Sequence, residues 1–89
     1  TLVFRLMAEL EEVHLFKLNQ RLANLLLTHA SSAGTLAMTQ QQMAFHLGTT
    51  REVVARLLGE FVALDFVETR RGVSLIRDVA GLRRVVSEG

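Results

Sequence analysis

The stretch GTTREVVARLLGEF, residues 48–61, carries the side chains with the clearest potential for chemistry. In a helix, each residue advances about 100° around the axis, so five of these residues share one side, between about 0° and 140° from Arg51. The five are Arg51, Glu52, Ala55, Arg56 and Gly59. Arginine donates two hydrogen bonds to guanine, glutamate accepts one from cytosine, and alanine contacts a thymine methyl. The pattern fits a helix that reads base edges.

A plainer interpretation of the same side is a solvated face. Glu52 and Arg56 are four residues apart, and such a pair stabilises a helix by only a few tenths of a kcal/mol. For an isolated helix this interpretation is the better one. A glutamate is unfavourable near phosphates unless it contacts a base, so its position between two arginines favours base reading. The neighbouring elements decide between the two interpretations.

The remaining residues predict no catalytic or metal site. His14, His29 and His46 are not spaced like metal ligands and are interpreted as helix-surface or boundary residues. The chain has no cysteine, and no nucleophile–base pair or carboxylate constellation stands out. Gly48 and the two threonines after it lack the ending of a phosphate-binding P-loop. We therefore expect no enzyme, no metal and no cofactor in this chain.

A long helix is predicted from residue 2 to about residue 30, where no glycine or proline occurs. Its first apolar residues have the spacing of a coiled-coil seam. They are Val3, Leu6, Leu10 and Val13. A second apolar stripe starts two residues out of phase, at Leu15, Leu18, Leu22 and Leu25. We expect a hinge at residues 13–17, with the helix kinked or broken there. Two heptads do not establish a coiled coil, and the alternative is a buried helix that packs on its own domain.

Two short helices are predicted after the glycine-bearing loop at residues 31–35. Thr39 with Gln42 fits a capping box that starts a helix at Gln40, and Gly48 ends this helix after Leu47. Thr49 or Thr50 caps the next helix, and Thr49 with Glu52 fits a second capping box. That helix runs to about residue 64. Its predicted buried face consists of Val53, Val54, Leu57, Leu58, Phe61 and Leu64.

A two-stranded hairpin is predicted from FVETRRGVSLI, residues 66–76, with a turn at Arg71 and Gly72. Asp78 is the predicted cap of a last short helix. The predicted buried stripe of that helix is Val79, Leu82, Val85 and Val86. Two helices joined across a glycine turn and followed by a hairpin are typical of a winged helix-turn-helix. The predicted fold is mainly α with a small β-hairpin, preceded by the long kinked helix.

Composition sets looser bounds. The chain has 89 residues, 49% of them hydrophobic, and a formal net charge of +1. A chain this short has too little interior to bury so many hydrophobic residues, and a partner surface such as a dimer seam would cover the remainder. The apolar runs are far shorter than the roughly 20 residues that span a bilayer. We expect no membrane segment, and a cytoplasmic location because there is no cysteine.

The segment MTQQQMAFHLGTTREVVARLLGEFVALDFVETRRGVSLI resembles the DNA-binding half of Crp/Fnr transcription regulators. The shared features are the capped helix ending in Leu-Gly, the capped RE start, the leucine-rich tail and the glycine-bearing wing. The resemblance covers about residues 15–86. It implies that residues 1–14 end a dimerisation helix and that residues 15–89 form the DNA-binding domain, with the helix-turn-helix at 39–64 and the wing at 66–77.

The resemblance also implies roles for residues and partners. The implied base contacts are Arg51, Glu52, Ala55 and Arg56, on a recognition helix at residues 50–64. Phosphate contacts fall to Thr39, Gln40, Thr50, Arg70 and Arg71. The implied partners are a second copy of the chain, a pseudo-palindromic promoter and RNA polymerase. The family's effector domain is absent from the sequence, so the effector is unknown.

The chain departs from the family pattern at several points. Ala55 replaces a common serine, Asp65 replaces a glycine that ends the recognition helix, and the 31–38 loop is short. Leu6 and Met7 are apolar where cyclic-AMP-binding members have hydroxyl residues, which argues against that ligand. The alternative functions are a winged helix that binds proteins instead of DNA, and a dimerisation module. The first would show a hydrophobic recognition face, and the second leaves residues 39–76 unexplained.

Overall fold

The computed structural model describes residues 2–88, with side chains from residue 15 onwards. Within these residues the chain forms four helices and one three-stranded antiparallel sheet. In chain order the elements are α1 (Leu2–His29), β1 (Thr35–Leu36), α2 (Gln40–Leu47), α3 (Arg51–Ala63), β2 (Val67–Arg70), β3 (Val73–Ile76) and α4 (Val79–Ser87). The predicted fold class is confirmed. No helix in the described part of the chain is long and apolar enough to cross a membrane.

Helix α1 is continuous through residues 13–17, so the predicted break is wrong, and a bend there stays a prediction. No glycine or proline interrupts the helix, and its two apolar stripes can face different partners without a break. Leu18, Leu22 and Leu25 are buried in the core, as predicted, whereas Leu15 is only partly buried. The seam residues Val3, Leu6, Leu10 and Val13 have side chains outside the described residues.

The turn between α2 and α3 follows from local chemistry. The backbone N–H of Gln42 donates to Thr39 Oγ1 over 3.1 Å, and the N–H of Thr39 donates to Gln42 Oε1 over 2.8 Å, so the first capping box is confirmed. Gly48 ends α2 with φ +69°, a conformation that glycine takes without strain.

The second predicted capping box is wrong. The backbone N–H of Thr49 donates to the Ala44 carbonyl over 3.0 Å and closes the end of α2. Thr50 is therefore the residue that caps α3, and its hydroxyl accepts from the N–H of Val53 over 3.3 Å. Glu52 comes only two residues after this cap and has no capping-box role.

One side of α3 forms the centre of the core. Val54, Leu57, Leu58 and Phe61 are buried, and Val53 is partly buried, as the helical wheel predicts. Leu64 is 59% exposed, contrary to prediction, because the helix ends at Ala63 and Leu64 is its C-cap. Asp65 then takes the left-handed conformation, with φ +59°. The tight turn returns Phe66 to the cluster, where it packs against the core.

The sheet contains one strand more than the sequence predicts. Strands β2 and β3 pair as the expected hairpin around Arg71 and Gly72, with Glu68 opposite Leu75. Strand β1, inside the segment predicted as a loop, pairs with the other edge of β3 and places Thr35 opposite Leu75. Leu36 is 5% exposed, so this two-residue strand is anchored by a core side chain. Two residues are too few to show the period of a strand.

Helix α4 covers the far side of the core. Asp78 caps it by accepting from the N–H of Gly81 over 2.9 Å, as predicted. Leu82 is buried, and Val85 and Val86 are partly buried against the core. Val79 is 44% exposed, so the predicted stripe is wrong at this residue. It occupies the first position of α4, one turn before Leu82 and on the same side of the helix as Leu82 and Val86, so its exposure comes from its place at the helix end.

The cap assignment is testable by two neighbouring threonines. Thr50→Ala should lower the free energy of unfolding by about 1 kcal/mol, because the N–H of Val53 loses its acceptor. Thr49→Ala should change it by less than about 0.5 kcal/mol, because that hydroxyl caps no helix. Urea unfolding followed by circular dichroism measures both. A larger loss for Thr49→Ala than for Thr50→Ala would contradict the assignment.

Candidate nucleic-acid interface

The four residues predicted to read bases lie together on the exposed side of α3. Arg51, Glu52, Ala55 and Arg56 are all exposed, and they alternate with the buried Val54 and Leu57. The core therefore fixes which way they point. Contact with DNA at these positions stays a prediction, but the surface it needs is present.

Their charged groups are not engaged with one another. Among the described side chains, no ion pair or hydrogen bond joins Glu52 to Arg51 or Arg56, so the helix-surface pair of the plainer interpretation is not formed. Glu52 lies in the first turn of α3, where the helix dipole stabilises a carboxylate. Among the described side chains, none therefore competes with an outside partner for these three charged groups.

A cleft of about 320 Å³ lies between the start of α2, the start of α3 and the wing, the hairpin of β2 and β3. We call it the basic cleft. Its lining includes four of the five predicted phosphate contacts, Thr39, Gln40, Arg70 and Arg71, together with Arg51. Among the described residues that line it, three are arginines and none is acidic. Residues from three separate elements thus converge on one cationic surface.

Four of the predicted contact residues do not line the basic cleft: Thr50, Glu52, Ala55 and Arg56. Thr50 is exposed at the N-terminus of α3, where it caps the helix. Arg56 lines a separate groove of about 240 Å³ between α1 and α3, together with Phe16, Asn19 and Glu60. The Oδ1 atom of Asn19 is buried and has no hydrogen-bond partner among the described residues. The exposed side of α3 therefore borders the basic cleft at Arg51 and the α1 groove at Arg56.

The two threonine caps leave donors for an anion. Thr39 Oγ1 accepts from the N–H of Gln42, and Thr50 Oγ1 accepts from the N–H of Val53. Each hydroxyl keeps its own hydrogen, which is a donor that the cap does not use. Both hydroxyls also stand at helix N-termini, where backbone N–H groups and the helix dipole favour negative charge. The caps can therefore hold phosphate oxygens while they hold the helices.

The wing contains an ion cluster that the sequence prediction missed. Glu68 Oε1 accepts from Arg70 Nη2 over 3.1 Å, and Glu68 Oε2 accepts from Arg77 Nη1 over 3.0 Å. These hydrogen bonds from Arg70 and Arg77 lower the pKa of the Glu68 carboxyl. Glu68 and Arg77 are nine residues apart, so their proximity depends on the pairing of β2 with β3. Alternation along β2 could have indicated only the Glu68–Arg70 pair.

The histidines show one departure from the sequence interpretation. The rings of His29 and His46 lie 5.7 Å apart between α1 and α2, so these two are neighbours instead of lone surface residues. Among the described residues, no group of three or more metal-ligating side chains is present. Two histidines leave a tetrahedral zinc site incomplete.

The fold and this cationic surface define a winged helix-turn-helix domain. Residues 20–85 match the family described as the Crp-like helix-turn-helix domain. The chain belongs to this family. No curated protein matches the chain.

Solved structures of Crp/Fnr regulators have the same fold. The Thermus thermophilus catabolite activator protein has a TM-score of 0.80 at 21% identity, over 97% of this chain and 41% of its own. The reduced CO-sensing protein from R. rubrum has a TM-score of 0.82 at 20% identity, over 93% and 42%. A Crp/Fnr-family regulator from Eubacterium rectale has a TM-score of 0.72 at 34% identity, over 78% and 33%. The chain thus spans less than half of each of these structures.

Gly59 offers a test of how α3 presents its exposed side. A Cβ at this position would meet nothing within 4 Å, so Gly59→Ala should raise the free energy of unfolding by roughly 0.5–1 kcal/mol through helix propensity. Gly81→Ala is the matched control in α4, where the added Cβ would lie 2.5 Å from the ring of Phe66 and should destabilise. Thermal unfolding of the two variants measures both. A loss of stability in Gly59→Ala would show that this side of α3 is covered.

Proposed function

We propose that this chain is the DNA-binding domain of a Crp/Fnr-type transcription regulator that binds double-stranded DNA sequence-specifically. The observation that carries the proposal is the exposed side of α3, with its arginine and glutamate groups, bordered by a basic cleft that also contains the wing arginines. In helix-turn-helix proteins the N-terminal part of the second helix enters the major groove. Residues 50–64 form the recognition helix in this proposal.

The proposed base contacts follow from the chemistry of four side chains. Arg51 and Arg56 each present a two-donor edge that matches the O6 and N7 acceptors of guanine. Glu52 accepts from the amino group of cytosine, and Ala55 contacts a thymine methyl. Ala55 and Gly59 are small, so the helix can approach the base edges closely. The exposed side of α3 therefore reads at least one base pair of each half-site.

The proposed phosphate contacts surround the recognition helix. Thr39 and Gln40 stand at the start of α2, Thr50 at the start of α3, and Arg70 and Arg71 on the wing. Hydroxyl, amide and guanidinium donors of this kind fix the register of a protein on the duplex without reading sequence. Phosphates on both sides of the major groove would then be held while α3 enters it.

The proposed unit is a homodimer on a pseudo-palindromic promoter. Two recognition helices must then enter the groove about 34 Å apart, one turn of the duplex. We assign residues 1–14 to the dimerisation helix on the heptad spacing of Val3, Leu6, Leu10 and Val13. A bend at residues 13–17 would reset the separation of the two recognition helices. Contact with RNA polymerase and a cytoplasmic location are part of the proposal through the family resemblance alone.

The base-reading role is tested by Arg56. Arg56→Ala should cost roughly 1–3 kcal/mol of binding free energy on the preferred site and relax the preference at one base pair. Selection from a random DNA pool defines the site, and fluorescence anisotropy gives the Kd for that site and for random duplex. Arg83→Ala is the control, because Arg83 is an exposed arginine on α4. Equal losses on the selected and random duplexes would sink the base-reading role.

The phosphate role is tested by Arg71. Arg71→Ala should weaken binding to all sequences alike and reduce the slope of log Kobs against log salt by about one, because one fewer phosphate is neutralised. Anisotropy titrations at several salt concentrations, on the selected and random duplexes, measure the slope. A wild-type chain that binds neither duplex would point to the protein-binding alternative. An unchanged slope in Arg71→Ala would instead remove Arg71 alone from the interface.

A further inference from the structure

Three charged side chains form a row on one face of the wing, with Glu68 between Arg70 and Arg77. Glu68 and Arg70 are two residues apart on β2, so they lie on the same face of the strand. Arg77 follows β3 directly, and its backbone N–H donates to the carbonyl of Phe66, which places it diagonally across from Glu68. One carboxylate is thereby within reach of two guanidinium groups.

The contact uses the part of Arg70 that recognises anions. Both Nε and Nη2 of Arg70 donate to Glu68 Oε1, over 3.4 Å and 3.1 Å. This pair of donors forms one edge of the guanidinium, and an arginine binds a carboxylate or a phosphate through such an edge. Glu68 therefore occupies on Arg70 a position that a DNA phosphate would take. Arg71, the next residue, has no side-chain hydrogen bond or ion pair among the described residues.

We propose that Glu68 is an internal competitor of DNA phosphate for Arg70 and thereby lowers the affinity of the wing for DNA of any sequence. The inference rests on the proposed function. In addition to the residues that contact DNA, it identifies a residue that lowers the affinity for DNA. Arg70 lines the basic cleft, so its guanidinium must exchange the carboxylate for a phosphate, or share both, when the wing meets the duplex.

The competition is weak enough to be reversible. The side chains of Arg70 and Glu68 are 70% and 38% exposed, and ion pairs in such positions contribute little and are screened by salt. Arg77 holds the second carboxylate oxygen, so Glu68 stays in place when Arg70 leaves it. A glutamate carboxylate is ionised at neutral pH, and the hydrogen bonds from Arg70 and Arg77 lower the pKa of Glu68 further, so the competition operates at neutral pH. A phosphate can displace the carboxylate, but each time the Arg70–Glu68 ion pair must be broken.

The effect should not depend on base sequence. Arg70 lines the basic cleft with Arg51, but its proposed contact is a phosphate and not a base. A weaker phosphate contact lowers specific and random binding by the same factor, because phosphates carry no sequence information. Competition by Glu68 should also flatten the salt dependence of binding. When Arg70 exchanges the Glu68 carboxylate for a phosphate, fewer ions are released in total than when an unpaired arginine binds a phosphate.

The test compares Glu68→Gln with Glu88→Gln, which makes the same change of charge at an exposed position at the end of α4. Anisotropy titrations use the full chain with a random-sequence duplex and with the selected site, at several salt concentrations. Glu68→Gln should tighten binding to both duplexes by about two- to five-fold and steepen the salt slope. Glu88→Gln should leave the Kd at the wild-type value. Circular dichroism confirms that each variant is folded.

The decisive arm is a double-variant cycle. In the Arg70→Ala background, Glu68→Gln should bring no gain, because the arginine that it releases is absent. Weaker or unchanged binding in Glu68→Gln, with a wild-type chain that binds DNA, would overturn the inference and leave the proposed function standing. A gain that persists in the Arg70→Ala background would also overturn it, since the carboxylate would then act through bulk charge or Arg77. A wild-type chain that binds neither duplex would overturn the proposed function itself.

Discussion

The burial of one side of α3 is the constraint on which the rest of the domain depends. Phe61 is 1% exposed and Val54 is fully buried, in a cluster that also takes in α1, α2, β2 and α4. A helix held along such a stripe cannot rotate, because rotation by one residue would expose apolar side chains and bury an arginine. The orientation of Arg51, Glu52, Ala55 and Arg56 is therefore set by the hydrophobic core. In the proposed function, base reading therefore depends on the burial of the apolar side of α3.

The turns then fix where the ends of α3 stand. Gly48 in the left-handed conformation lets the N–H of Thr49 close α2, and Thr50 can start α3 two residues later. At the other end, Asp65 takes the left-handed conformation, which short polar side chains tolerate. The chain can then enter the wing with Phe66 on the core. Because the turn at Asp65 reverses the chain, β2 runs back towards the start of α3, where Arg70 and Arg71 line the basic cleft with Arg51.

Most of the correct predictions concerned local chemistry, as did wrong ones such as the second capping box, whereas the features that the sequence did not reveal were non-local. The face of α3, the Thr39 box and the Asp78 cap each follow from residues within a turn or two of one another. Strand β1 has only two residues, and its existence depends on β3, almost 40 positions along the chain. The Glu68–Arg77 pair likewise depends on strand register. The predicted contact residues came from the helical wheel and the family resemblance together, because spacing alone could not separate a solvated face from a DNA-reading one.

The charge of the interface is best understood from what surrounds its arginines. Arg51, Arg70 and Arg71 line the basic cleft, yet the chain carries a formal net charge of only +1. Random DNA is held by phosphate contacts, and a chosen site adds base contacts to them. A domain with few surplus cations gains little affinity from phosphate contacts. In the proposed function, base contacts therefore decide which DNA site the domain binds. In the proposed function the same limit would make a single copy weak, and linking two copies in the proposed homodimer would raise the affinity for paired half-sites without any new contact to DNA.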